Sequence, residues 1–218
     1  MSERKLIAHG PSSLTISLPF KWLKKFGLKK GDAVNIEEME KGILVSTAPI
    51  ISDKEILIDL TKFGYQEITA ILTTAYRRGY DKIKLKYQTN VQYDAISSGI
   101  RNLLGFAILD TRDKKIIIKS LSIEKNENVE VILKRVFFIL LQEFSDLEET
   151  IRNKDTLADF YKRDQDVNTL VNLGIRLISK GYIADRFEEL HLFHTLLALE
   201  EIGDDLLKFS IELQQAKH

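Results

Sequence analysis

The sequence predicts an α+β chain of three units: an amino-terminal β unit (residues 1–49), a small βαβαββ layer (53–122) and an antiparallel three-helix bundle (125–218). Three observations predict it. Short alternating runs punctuated by Gly and Pro fill the first fifty residues. Strand and helix patterns then alternate through the next seventy, and from residue 128 the apolar spacing becomes wholly helical.

In the first unit, residues 4–8 and 14–18 read as strands joined by Gly10-Pro11-Ser12-Ser13. Residues 33–38 and 43–47 read as a second pair joined at Lys41-Gly42. Between the pairs lies a short helix. Pro19 opens it, because its missing N–H would be unpaired there anyway, and Gly27 closes it in the left-handed cap conformation. Phe20, Leu23 and Phe26 share an apolar face with Trp22 beside it, while Lys21, Lys24 and Lys25 form a basic face. A fifty-residue unit with four short strands buries too little alone, which predicts a dimer.

Pro49-Ile50-Ile51-Ser52-Asp53 reads as a linker. Residues 55–60 follow as a strand, then 65–78 as a helix with Ile68, Leu72 and Ala75 on one face, stopped by Gly79. Residues 81–87 alternate Ile83 and Leu85 with Lys82, Lys84 and Lys86, as a half-exposed strand does; lysines of this kind also protect an exposed sheet edge. A helix over 93–104 closes at Gly105, and 106–110 with 115–121 complete a strand pair. This layer holds no phosphate-cradling glycine loop, no triad spacing and no metal cluster. Arg77, Arg78 and the three lysines read either as a solvated face or as contacts for DNA or an anionic effector.

The third unit begins at Asn128. Its first helix places Val129, Ile132, Leu133, Val136, Phe137, Leu140, Leu141 and Phe144 on one stripe. A second helix over 155–180 carries Leu157, Phe160, Tyr161, Val167, Val171, Ile175 and Ile178. A third over 185–214 carries Leu192, Leu196, Leu199, Ile202, Leu206, Phe209 and Leu213. Short connections predict antiparallel neighbours. Asp164 and Asn168 interrupt the second apolar row, and Glu200 and Asp204 the third, each pair at i, i+4 and therefore on one face. Buried carboxylates at such positions need exposure, a cation or a metal. Oxygen ligands on facing helices suit a divalent or iron-type metal ion; a polar stripe at an interface explains the residues equally. His191 and His194, three apart, read as surface residues.

Composition bounds the function. The chain has no cysteine, so disulfides, thiolate metal sites and cysteine nucleophiles are excluded. No run approaches the roughly 20 apolar residues of a membrane span, and no signal-peptide core follows the amino terminus; a cytoplasmic protein without membrane insertion is expected. Net charge is zero, but residues 1–120 carry 20 Lys and Arg against 13 Asp and Glu, and residues 121–218 carry 12 against 19. A basic front and an acidic rear suggest that only the front meets a polyanion. No nucleophile or general base stands beside the carboxylates, so an enzyme is not expected.

Two family resemblances refine this reading. Leu18-Pro19, Trp22, Gly27-Leu28, Gly31-Asp32 and Val34 at their spacings resemble the AbrB/SpoVT/MazE group of DNA-binding domains over residues 3–48. That resemblance implies a swapped-hairpin β domain, in which two chains interlace and present basic side chains to double-stranded DNA. The positions that would make those contacts are Arg4 and Lys5 on the first strand, Ser12 and Ser13 in the hairpin loop, and Lys21, Lys24 and Lys25 on the helix. The other reading is a dimerisation clasp only.

Arg163-Asp164-Gln165-Asp166-Val167-Asn168-Thr169-Leu170 and Leu199-Glu200-Glu201-Ile202-Gly203-Asp204 resemble two motifs of the PhoU family over about residues 128–215. This implies a PhoU-like bundle with a metal held by Asp164, Asn168, Glu200 and Asp204, although Asn168 replaces an acid of the family pattern and removes one anionic ligand. PhoU proteins carry two three-helix repeats and this chain has one, so a homodimer would supply the second. The combination resembles the archaeal PhoU-domain regulators and implies a transcriptional regulator of phosphate uptake. The alternative is an adaptor that binds a phosphate transporter or signalling protein through the bundle.

Overall fold

The computed structural model describes residues 3–39, 42–47, 54–121, 128–153, 160–181 and 186–216. The expected linker at 49–53, Lys41 in the second turn, and Leu157 and Asp185 in the bundle lie outside them. The chain divides into two compact units, Met1–Ser52 and Asp53–His218.

In the first unit β1 (Ile7–Ala8) pairs antiparallel with β2 (Leu14–Thr15), and β3 (Asn35–Met39) with β4 (Gly42–Ser46). They form two separate two-stranded sheets. The first pair is shorter than the runs 4–8 and 14–18 predict, because an isolated hairpin has no further strand to hold its ends. Between them lies α1 (Phe20–Lys25). Pro19 stands one residue before the first helical position, its carbonyl accepting from the N–H groups of Trp22 (2.9 Å) and Leu23 (3.1 Å). Gly27 ends the helix at φ +67°. No residue of this unit whose side chain is described is buried. Phe20 is 76% exposed, and Leu6, Ile7, Leu14, Ile16, Phe26, Ile36 and Ile43 also lie open.

The second unit begins with a four-stranded sheet in the order β5 (Glu55–Asp59), β6 (Lys82–Lys86), β8 (Lys115–Ser120), β7 (Phe106–Arg112). β5 and β6 are parallel and the other pairs antiparallel. Helices α2 (Tyr65–Arg77) and α3 (Asn90–Arg101) share one core with the buried side chains Ile83, Leu85, Ile116 and Ile118. The lysine strand β6 is therefore an interior strand and not an edge. Its lysines stand on the opposite face, where Lys82 and Lys84 pair with Glu55, and Lys86 with Asp59.

Helix α3 starts three residues before the predicted Tyr93. Thr89 Oγ1 accepts from the Gln92 N–H (3.3 Å), Gln92 Oε1 accepts from the Thr89 N–H (3.1 Å), and this reciprocal cap fixes the start. The β7–β8 turn places Asp113 and Lys114 at φ +50° and +58°, a two-residue turn whose twist matches that of the strands.

The remaining helices are α4 (Val129–Asn153), α5 (Phe160–Ser179) and α6 (Arg186–Gln215), which pack against one another around one core. Gly174 allows a close approach: a Cβ there would lie 2.7 Å from Leu196 Cδ1. The predicted α4 stripe needs correction. Val129, Ile132, Val136, Leu140 and Leu147 are buried, but Phe137, Leu141 and Phe144 are exposed. Tyr161, Ile202 and Phe209 are likewise exposed. Apolar residues occur on two faces of α4, so periodicity alone could not say which one the core uses.

The layer (53–122) and the bundle (125–218) pack as parts of one unit. The reason lies in α5, where every residue from Leu170 to Ile178 is buried. One side of that helix faces the bundle core and the other faces α2.

Candidate functional site

The structure brings Asp164, Asn168 and Asp204 together, with Glu200 near enough to act on the Asp164 carboxyl. Asn168 Nδ2 donates to Asp164 Oδ2 at 3.0 Å, as their i, i+4 spacing requires. Burial, then the charge of Asp204, raises the Asp164 carboxyl to about 6, with Glu200 adding to the effect. Glu200 itself is taken by a cation from another element: Arg77 Nη2 of α2 donates to its Oε1 at 2.5 Å, and Arg77 Nε donates to Asn172 Oδ1 at 2.6 Å. Among the described residues no group of three or more His, Cys, Asp and Glu side chains is gathered to hold a metal ion. Asp164 Oδ1 is buried without a hydrogen-bond partner, while Glu200, the other acid of the implied set, is engaged by Arg77. His191 and His194 are both exposed.

Two charged features near this site escaped the sequence reading. Glu143 of α4 is 1% exposed, its Oε2 has no hydrogen-bond partner, and burial pushes its carboxyl up to about 7. The signal was available, because Glu143 interrupts the row Val136, Leu140, Leu147. An acid whose folded pKa lies above its unfolded value favours folding only while protonated, so stability is lost as pH rises from about 4.5 towards 7. Glu143→Gln should therefore raise the melting temperature more at pH 8 than at pH 4.5. Equal shifts at both values would show that the carboxyl is ionised at no cost.

The second feature joins the layer to the bundle. Arg176 of α5 is fully buried. Its Nη1 donates to the carbonyls of Tyr76 (3.0 Å) and Tyr80 (2.7 Å), and its Nη2 to Asp81 Oδ1 (2.6 Å). Lys180 Nζ donates to the same oxygen at 2.5 Å, and the Lys54 N–H reaches Asp81 Oδ2 at 3.3 Å. The guanidinium also lies 4.9 Å from the Tyr76 ring centroid and 4.8 Å from that of Phe106. Together with Arg77, these contacts fix α2 against α5.

The expected DNA-contacting residues all belong to the small head. Lys5, Ser12, Lys21, Lys24 and Lys25 are exposed, with Lys24 and Lys25 in the last turn of α1. Arg4 Nη1 donates to Ser17 Oγ at 3.1 Å, which holds it across the β1–β2 pair. Ser13 differs from expectation: its hydroxyl donates to the His9 carbonyl and closes the loop, while the His9 N–H donates to the Ser13 carbonyl at 2.9 Å. The loop shape depends on Ser13, and Ser12 is the outward hydroxyl.

Residues 7–54 match the MazE antitoxin family, described as antidote-toxin recognition MazE, bacterial antitoxin. The head is a MazE-like domain. No curated protein and no solved structure matches the chain. A MazE-like head is of a DNA-binding type, which fits the exposed cations of α1 and the unburied apolar residues around them. No helix of the described residues is long and apolar enough to cross a membrane.

The open face of the layer's sheet carries a cavity of about 410 Å³, lined by Leu57, Lys84, Lys86, Arg112, Lys115 and Ile117 among others. Asp59, Asp110 and Glu55 engage Lys86, Arg112 and Lys84 there. The face is a mixed-charge surface rather than a uniformly basic one.

Proposed function

We propose that this chain is a homodimeric DNA-binding regulator of transcription. The observation that carries the reading is the MazE-like head. Its described side chains include no buried residue, yet it holds at least eight large exposed apolar ones. Such surface needs a partner, and a second head of the same kind provides it. The cations Lys21, Lys24 and Lys25 would then occur twice in the assembly, on a surface suited to DNA phosphates.

The target is proposed to be phosphate homeostasis. That step is supported by the two PhoU-like motifs alone. In this reading the bundle receives the signal, and the Arg176–Asp81 contacts carry it rigidly to the layer.

The salt dependence of duplex binding tests the interface. Each lost phosphate contact flattens the slope of log affinity against log salt by about one unit. The full chain carrying Lys24→Ala and Lys25→Ala should show a slope flatter by about four, because both chains of the dimer lose two lysines. An unchanged slope and affinity would remove α1 from the interface and leave the head as a clasp for an adaptor protein.

A further inference from the structure

Helix α4 is apolar on two faces. One, carrying Val129, Ile132, Val136, Leu140 and Leu147, belongs to the bundle core. The other carries Val131 (58% exposed), Phe137 (45%), Phe138 (61%), Leu141 (65%), Phe144 (51%) and Ile151 (54%). At 100° per residue Leu141 lies at the middle of this second stripe, well away from the core face. A helix clothed in large apolar residues on both sides is normally covered on both. Scattered single exposed residues need no explanation, but a continuous stripe of this kind marks an interface.

The order of residues along the stripe identifies what covers it. Reflected about Leu141, Val131 exchanges with Ile151, Lys134 with Glu148, and Phe138 with Phe144. Of the six apolar positions only Phe137 falls on a polar one, Ser145, and the charges map onto opposites, Lys134 onto Glu148 and Glu130 onto Arg152. Two copies laid antiparallel therefore bring opposite charges together at both ends. A twofold contact requires this self-complementarity, in which residue i meets residue j and j meets i. Six side chains, each about half exposed, would remove roughly 600 Å² per copy from water, close to the ~800 Å² of a standard specific interface.

We propose that α4 is a second homodimer contact, in which the outer stripes of two copies pack antiparallel about an axis through Leu141. The contact is built by the bundle alone and does not depend on the head. Where the heads also pair, the two bundles are held at high effective concentration and the α4 contact needs little affinity of its own.

The chain has no cysteine, which gives a direct test. Antiparallel helices packed 8–10 Å apart bring facing Cα atoms within roughly 4–6 Å, inside the range of a disulfide. The full chain carrying Leu141→Cys should become a covalent dimer under mild oxidation. The same chain with an exposed cysteine on α6, Glu201→Cys, should stay uncrosslinked. Leu141 is exposed, so neither variant should shift the melting temperature appreciably.

Sedimentation of Leu23→Asp, alone and combined with Leu141→Asp, separates this contact from the head. The head variant alone should retain a concentration-dependent dimer, and the double variant should be a monomer. Failure of Leu141→Cys to crosslink, or equal crosslinking of Glu201→Cys, would overturn the α4 contact. Either result leaves the head dimer standing. If Leu23→Asp does not weaken the dimer while Leu141→Cys crosslinks, the head reading fails and the α4 contact stands.

Discussion

Replacing Asp81 by alanine should destabilise the second unit by about 3–5 kcal/mol, the usual cost of leaving a buried cation without its partner. Arg176 is fully buried and Lys180 lies beside it, both donating to the same carboxylate oxygen. Removal of that carboxylate leaves two positive charges facing each other in a site with little water. For a chain of this size the change corresponds to roughly 10 °C in melting temperature. Asp81→Asn should cost less, since its side-chain oxygen can still accept from the Lys54 N–H. A melt of Asp81→Ala within a degree or two of the wild type would show that the contact is not what holds layer to bundle.

Leu23→Asp should give the other large effect, and its size distinguishes two states of the head. In one chain Leu23 is only half-buried among exposed neighbours. A charge there would cost a single head little, within the ~0.5 kcal/mol typical of surface changes. In a shared core the same charge is desolvated and costs several kcal/mol. Sedimentation of the full chain should therefore show a substantial loss of association, with unfolding of the head region visible by hydrogen exchange. Unchanged association and protection would mean that α1 is not part of a common core.

Much of the fold was legible because local signals agreed with burial. Gly27 and Gly79 adopt positive φ and end the helices before them, as their positions suggested, whereas α3 ends at Arg101, four residues before Gly105, and not at the expected 104. The alternation of Ile83 and Leu85 with lysines placed one face of β6 in the core. The sequence could not show that β6 is interior, since sheet order depends on long-range pairing, and lysines suit either an edge or an open face. It also misplaced the core face of α4, because two apolar stripes compete on that helix.

The candidate site was legible at the level of type and not of partners. The spacing of Asp164 with Asn168, and of Glu200 with Asp204, put each pair on one helix face. Spacing within a helix cannot reveal that Arg77, 123 residues before Glu200, claims that carboxylate. Arg77 was read as a solvated charge or an anion contact for the same reason. Arg176 was missed because a buried arginine leaves no periodic mark. Its one hint was the apolar run around it from Leu170 to Ile178.

The central claim is that two MazE-like heads combine to bind duplex DNA. Its most direct measurement is the titration of a labelled duplex pool with the full chain, wild type and Leu23→Asp, over a range of salt concentrations. The account predicts that the wild type binds with affinity falling steeply as salt rises, and that the Leu23→Asp chain loses binding together with head pairing. Duplex binding by the Leu23→Asp chain at wild-type affinity would contradict it, as would the absence of salt-dependent binding by the wild-type dimer.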